Sequence, residues 1–332
     1  MDVHPQIAHW NGEELMENSP AVDDARICDT HHHFYYDKAN ARYTLHDFAA
    51  DLTREKDITS TVYVECRQNY WTDRRPELAP VGETESVHKS TETFQGRVRI
   101  AAGIVSKADL TLGERVREVL EAHLAASERV RGIRYNVACH EDERVAFRAC
   151  RHPRILADPT FRRGALELHA LNLSLDLWAF HTQLSEVTDF ARQFPGTVIV
   201  NHFGGPISSG PYEGHRQEVY GHWSRAMAEL AHCPNVFVKI GGLAPLLVEW
   251  NGRAAKPSVE EVAVAMHPYF DHCLTHFGAE RCMVESNFPV DGRVVEYSTL
   301  WAAFKTLAKG ASADDRKALF HGAAARAYRL QS

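Results

Sequence analysis

Three consecutive histidines, His31 to His33, follow a short apolar opening at Ile27. If this segment is a β-strand, its side chains alternate, so His31 and His33 face one way and His32 faces the other. Two imidazoles on one face can chelate a divalent cation or polarise a carbonyl oxygen. A surface cluster, or a pair of hydrogen-bonded core histidines, is the alternative, and the rest of the chain bears on the choice.

Polar residues also interrupt or end most of the other apolar segments that resemble strands. They are Glu65, Arg134, His181, His202, Lys239, Glu285, Asn287 and Asp291. In an α/β barrel the chemistry lies where strands end at their carboxyl side, whereas the interior layers are mostly branched apolar side chains. This distribution therefore favours an active site at one mouth of a barrel over a purely structural arrangement.

The elements that would position these residues alternate regularly between strand and helix, about 30 residues apart. The predicted strands are Ile27–Phe34, Thr61–Cys66, Val98–Val105, Val130–Tyr135, Leu173–His181, Thr197–His202, Val236–Gly242 and Cys282–Pro289. Eight such units predict an α/β fold of the (β/α)8 TIM-barrel type. The alternative, an open doubly wound sheet, should carry a glycine-rich phosphate turn, and the sequence has no such motif.

The pattern predicts one domain, residues 1–332, with an irregular leader over residues 1–25 and two C-terminal helices, Tyr297–Lys309 and Ala313–Tyr328. The formal net charge of -7 argues against nucleic acid or an anionic membrane as the main partner, and no apolar run approaches the ~18 residues of a membrane span. Seven scattered cysteines favour reduced thiols in the cytoplasm. We expect a small-molecule substrate, and a homo-oligomer is compatible with this composition.

Three motifs carry a resemblance to a known family: DTHHHF at residues 29–34, NHFGGP at 201–206 and ESNFPVD at 285–291. Together they are similar to the second large branch of the amidohydrolase superfamily, described as metal-dependent hydrolases of TIM-barrel fold, and within it to the lactonases. The likeness runs from Arg26 to Leu330. It implies a hydrolase that opens an ester or lactone ring with activated water. A metal-dependent decarboxylase of the same superfamily is the alternative, and a barrel that binds a small molecule without turnover is a third.

The resemblance also implies roles for particular residues. The family's first-strand histidine pair falls on His31 and His33, and its later strand-end histidine falls on His202. His181 occupies a second strand-end position where some members have a histidine. These four are the predicted ligands of a divalent metal, Zn²⁺ first and Mn²⁺ as the alternative. Parts of this branch work without a metal, so a metal-free mechanism stays open.

The sequence departs from the family at the last strand, where the usual aspartate falls on Asn287. An amide cannot accept a proton from water as a carboxylate does. Either Asp291 or Glu285 could supply the missing carboxylate, and we favour Asp291 because it lies past the strand end. Glu285 would lie one layer deeper and would need a buried partner, for which Lys239 and Arg134 are the candidates. The predicted catalytic residues are thus Asp291, His202, Glu285 and Asn287.

A long loop after the second strand, from Arg67 to Gly82, is predicted to form a wall of the substrate site. Its arginines could clamp a substrate carboxylate, although solvated arginines are the alternative. Arg134 should face inward, either toward substrate or in a pair with Glu65 or Glu285. The predicted substrate-binding residues are Glu65, Arg67, Tyr70, Trp71, Arg134 and His181.

Overall fold

The computed structural model describes residues 26–36, 42–146 and 153–331, so the predicted leader lies outside the described residues. Eight parallel strands follow one another around a single sheet in chain order. They are β1 (Ile27–His32), β2 (Ile58–Val64), β3 (Arg99–Ser106), β4 (Val130–Asn136), β5 (Ser174–Trp178), β6 (Val198–Val200), β7 (Val236–Ile240) and β8 (Cys282–Val284). The predicted TIM-barrel architecture is confirmed.

A helix follows each strand and covers the outside of the sheet. The helices are α1 (Leu45–Leu52), α2 (Val81–Glu92), α3 (Val116–Ala126), α4 (Pro159–Ala170), α5 (Leu184–Gln193), α6 (Arg216–Leu230), α7 (Val259–Phe277) and α8 (Tyr297–Leu307). No helix in the described part of the chain has both the length and the apolar character needed to cross a membrane.

Local sequence sets where several helices begin. Asp158 precedes α4, its carboxylate accepts two backbone N–H groups of the first turn, and Pro159 occupies the first helical position. Ser258 and Glu261 form a reciprocal capping box at the start of α7. At the other end of α7, Gly278 turns the chain with a φ of 72°. These signals are local, so the sequence near each end fixes where these two helices begin and where α7 stops.

The ring closes just beyond β8 rather than within it. The backbone N–H of Asn287 donates to the carbonyl of His31 at 2.8 Å, and the N–H of His33 donates to the carbonyl of Phe288 at 2.8 Å. Strand β8 itself ends at Val284, five residues before the predicted end at Pro289. A regular strand could not have continued to Pro289, because Asn287 adopts a left-handed conformation with a φ of 53°. The motif after β8 is therefore tied to the motif that ends β1.

The last part of the C-terminal segment packs against apolar side chains inside the barrel. It consists of α9 (Ala313–Lys317), a π-helical turn (Ala318–Gly322) and α10 (Ala323–Ala327), where the sequence predicted one uninterrupted helix. Tyr328 follows α10, and its hydroxyl donates to Asp176 Oδ2 at 2.7 Å. The ammonium group of Lys239 lies 3.0 Å from the same oxygen. The end of the chain thus reaches a buried ion pair beneath the histidines.

Candidate active site

Three histidines from distant parts of the chain meet at the mouth of the barrel. His31 and His33 lie at the end of β1, and their Nε2 atoms are 3.2 Å apart. His202 follows β6, and its ring centroid is 4.6 Å from that of His31. His32 faces away, stacked on Phe48 at 4.1 Å. The predicted alternation along the first strand is confirmed.

Glu285 joins two of these histidines. It is fully buried, and its Oε1 accepts hydrogen bonds from the ring Nδ1 of His202 at 2.6 Å and from the His202 backbone N–H at 3.2 Å. Its Oε2 lies 3.0 Å from Nδ1 of His31 but has no hydrogen-bond partner within the part of the chain that the structure describes. Glu285 is therefore a carboxylate held between two imidazoles, and its Oε2 can still accept a hydrogen bond.

The predicted partners of Glu285 were wrong. Lys239 pairs with Asp176, because it lies in register with Met283, two residues before Glu285, and so one layer deeper in the barrel. Arg134 lies on β4, across the ring from β8. Its Nε donates instead to Glu65 Oε1 at 2.9 Å, which was the other predicted pairing.

Two adjacent glycines make the approach of Glu285 and His202 possible. A Cβ atom on Gly241 would lie 2.3 Å from Glu285 Cγ. A Cβ atom on Gly242 would lie 2.3 Å from the Cβ of His202, and Gly242 has a φ of 71°. Any larger side chain at either position would displace the carboxylate or the imidazole. The Gly-Gly pair after β7 is thus part of the site, and the sequence analysis did not identify it.

The donor set fits a divalent cation. Ligand atoms of His31, His202 and Glu285 lie within 4.8 Å of one another. The carbonyl of Val64 accepts from His33 Nδ1 at 2.7 Å, so Nε2 of the neutral ring carries the lone pair. Two nitrogens bound to one tetrahedral zinc ion at about 2.0–2.1 Å would be ~3.3 Å apart, close to the spacing of His31 and His33.

The charge states of these residues also suit a divalent cation. Burial holds the pKa of His31 and of His33 well below the usual histidine range, and the nearby Lys239 and Arg134 respectively add to this effect. Both rings are therefore neutral, which is the form that binds metals. A buried carboxylate such as Glu285 needs a positive partner, and a divalent cation would supply that charge.

Asp291 lies beside this group in an enclosed position. Its Oδ2 accepts the backbone N–H of Leu243 at 2.5 Å, and its Oδ1 accepts from the amide of Asn287 at 3.1 Å. Burial raises the pKa of Asp291 to about 7, against the opposing effect of the Leu243 N–H. Asn287 thus donates to the carboxylate, whereas an aspartate at that position would repel it. The amide and the later carboxylate form one unit.

His33, His202, Asn287 and Asp291 line a cavity of about 210 Å³, whereas His31 and Glu285 are not part of its lining. Its predicted members are His33, Arg134, His202, Asn287 and Asp291; the sequence analysis missed Tyr35, Asn136, Trp178, Gly242, Ala244, Pro245 and Val290. Asn136 and Trp178 are the final residues of β4 and β5. The strand-end criterion would have identified both, had the ends of those strands been predicted correctly.

His181 is not brought to the other histidines. Strand β5 ends three residues earlier, at Trp178, and His181 begins a 3-10 turn in which its backbone N–H donates to the carbonyl of Gly205 at 2.9 Å. Its ring packs edge-on against Tyr212, with the centroids 5.3 Å apart. Neither ring nitrogen has a hydrogen-bond partner among the described residues, and His181 does not line the cavity.

The long loop after β2 turns toward helix α2 and not toward the cavity. Trp71 donates from Nε1 to Glu85 at 3.2 Å. Arg67 is exposed, and its backbone N–H donates to Glu83. Arg75 pairs with Glu118 on the surface. Tyr70 is half-buried and does not line the cavity either. None of the loop residues predicted to bind substrate lines this cavity, although Tyr70 lies near Glu65 and Arg134.

Arg134 faces inward and pairs with Glu65, which was one of its predicted partners. The guanidinium group donates from Nε to the Glu65 carboxylate and from Nη2 to its backbone carbonyl. Its side chain is 17% exposed and lines the cavity. Glu65 thus holds a fixed cation whose remaining edge is available to a ligand.

Comparison with known proteins places these features in context. A family model described as amidohydrolase matches residues 28–330. An uncharacterised protein, y4mH of Sinorhizobium fredii, is 32% identical over 298 residues, which cover 89% of this chain and 88% of that protein. An L-fucono-1,5-lactonase of Burkholderia multivorans is 29% identical over 70% of this chain and 72% of its own length. A crystal structure of an amidohydrolase from Burkholderia multivorans with bound zinc has a TM-score of 0.71 at 24% identity and covers 92% of this chain and all of that one.

Proposed function

Because this chain belongs to the amidohydrolase family, we propose that it is a hydrolase that opens a small-molecule ester or lactone ring at the mouth of the barrel. The observation that carries the proposal is the meeting of Asp291, a carboxylate with a pKa of about 7, with His33 and His202 on one cavity. The similarity to an L-fucono-1,5-lactonase favours a lactone among esters.

Asp291 is the general base in this proposal. A base works best when its pKa lies near the operating pH, and a cation held by the neighbouring residues would lower the pKa of Asp291 from about 7 and so favour its ionised form. The amide of Asn287 and the N–H of Leu243 fix the direction of the carboxylate. Asp291 would accept the proton of the attacking water and then return it to the leaving oxygen.

His31, His33, His202 and Glu285 would hold a divalent cation, Zn²⁺ first and Mn²⁺ as the alternative. Such an ion lowers the pKa of a bound water and polarises a carbonyl oxygen. The zinc in a structure of the same fold agrees with this choice. Glu285 also orients His202 by accepting a hydrogen bond from its Nδ1, so that the lone pair on Nε2 is left to bind the cation.

The rest of the cavity recognises the substrate. Arg134, held by Glu65, offers a fork of N–H donors to a carboxylate or hydroxyl group on the ring. Trp178 packs against His202 with the ring centroids 5.0 Å apart and would limit the movement of both ring and substrate. The predicted cytoplasmic location belongs to the same proposal, since Cys28, Cys66, Cys233, Cys273 and Cys282 are free thiols.

A panel of lactones, assayed with and without a chelator, tests the proposal. We expect ring opening that chelation removes and that Zn²⁺ or Mn²⁺ restores. The Asp291→Asn variant should lose turnover yet stay folded, and Asp314→Asn, at an exposed position on α9, is the matched control. If the protein released carbon dioxide from an aromatic or β-keto acid and opened no lactone, it would be a decarboxylase and not a hydrolase. Binding without any turnover would reject both.

A further inference from the structure

A second cavity of about 140 Å³ lies directly beside the first. The two share one wall, made of Trp178, Ala244, Pro245 and Val290. The Trp178 ring contacts His202 on one side and Phe180, which lines the second cavity, at 5.7 Å on the other. A molecule that lies against His202 is therefore adjacent to the second cavity.

The chemistry of the two cavities differs. Arg134, Asp291 and two histidines line the first, so it suits a polar or charged group. The second is walled mainly by apolar side chains, among them Phe180, Ile207 and Val248, and its polar members are Ser208, Ser209, Asn251 and Arg293. Val248 is 51% exposed, although most large apolar side chains of the described residues are buried. A substituent bound in the second cavity would cover Val248, which lies in its wall.

Size also links the two cavities. Ligand pockets usually have volumes of roughly 300–1,000 Å³. Neither cavity reaches that range alone, but the two together do. A single ligand with a polar end and an apolar end would match both the volume and the lining.

We infer that the second cavity binds an apolar substituent, an alkyl or aryl group, of the molecule whose ring reacts in the first. This inference rests on the proposed lactone hydrolysis and narrows its substrate class to lactones that carry such a group. Burial of a methylene group is worth a factor of about four in affinity. Specificity should therefore rise with chain length until the cavity is full.

A series of five-membered lactones with side chains from hydrogen to hexyl tests the inference. In the wild-type protein, kcat/KM should rise about fourfold for each methylene that enters the cavity and should then level off. Val248→Trp would fill the cavity, so the ratio of kcat/KM between the hexyl and the unsubstituted lactone should fall toward one. Val264→Trp changes a valine on α7 that is 39% exposed and does not line the cavity, so it should keep the wild-type ratio.

Two further measurements keep the test decisive. Ser208→Trp fills the same cavity from another wall and replaces Val248→Trp if that variant does not fold. Cyclopentanones with the same side chains cannot be hydrolysed, so their dissociation constants report binding alone. Binding that tightens with chain length supports the second cavity if Val248→Trp abolishes this dependence and Val264→Trp does not. This conclusion holds even if no lactone is opened, because that result would reject only the proposed hydrolase activity. Dissociation constants independent of chain length would overturn the inference while lactone opening stood.

Discussion

Replacement of Asp291 by asparagine should remove activity and at the same time stabilise the protein at neutral and alkaline pH. Burial raises the pKa of this carboxyl from 3.8 to about 7. A raised pKa means that the folded protein holds the proton more tightly than the unfolded chain does. The contribution of Asp291 to stability is therefore fully present below about pH 4 and is lost as the pH rises through about 7.

The magnitude follows from the size of this pKa change. A pKa difference of about three between the folded and the unfolded protein corresponds to a free energy of about 4 kcal/mol, at about 1.4 kcal/mol for each whole number of pKa. Between pH 4.5 and pH 8, the free energy of unfolding of the wild type should fall by about 3 kcal/mol relative to that of Asp291→Asn. Loss of a general base should lower kcat by roughly 100-fold to 10,000-fold.

Urea unfolding of both proteins at the two pH values measures this difference. The proteins should be treated with a chelator first, because a bound cation would favour the ionised form of Asp291 and lower its pKa. The change in the free energy of unfolding between the two pH values would then be smaller. Asp314→Asn, on the surface, should track the wild type at both pH values. Equal pH dependence of wild type and Asp291→Asn would refute the proposed environment of Asp291. Near-full activity in a folded Asp291→Asn protein would refute its role as base.

Three further outcomes are expected. Glu285→Gln removes the charge that orients two histidines and should weaken Zn²⁺ binding by at least 10-fold to 100-fold in an equilibrium titration; unchanged affinity would contradict this role. Gly242→Ala should abolish activity, because its Cβ would clash with the His202 side chain. Gly252→Ala is the control, since Gly252 has a similar φ of 77° and a Cβ there would meet no described atom within 4 Å. It should lower the free energy of unfolding by only about 1–3 kcal/mol and keep activity. Tyr328→Phe removes a buried donor from Asp176 and should lower the free energy of unfolding by about 1–3 kcal/mol in urea; a change below 0.5 kcal/mol would show that this hydrogen bond contributes little.

The amino-acid sequence alone was enough to predict the architecture and one face of the site. Strand and helix periodicity is a local property, so the eight units and the opposite orientation of His32 could be read without a structure. The motif around His202 added the third imidazole. The pairing of Arg134 with Glu65 was one of two predicted alternatives, and the structure selected it.

Only the tertiary structure determined how the carboxylates are held. Glu285 contacts imidazoles from β1 and from the turn after β6, and Asp291 accepts from a backbone N–H after β7. Those contacts depend on the register and closure of the ring, to which every strand contributes. The displacement of His181 has the same origin, since a strand that ends three residues early moves its last predicted side chain out of the site. Residue type and spacing thus determined which groups could react, and the closed sheet determined which of them meet.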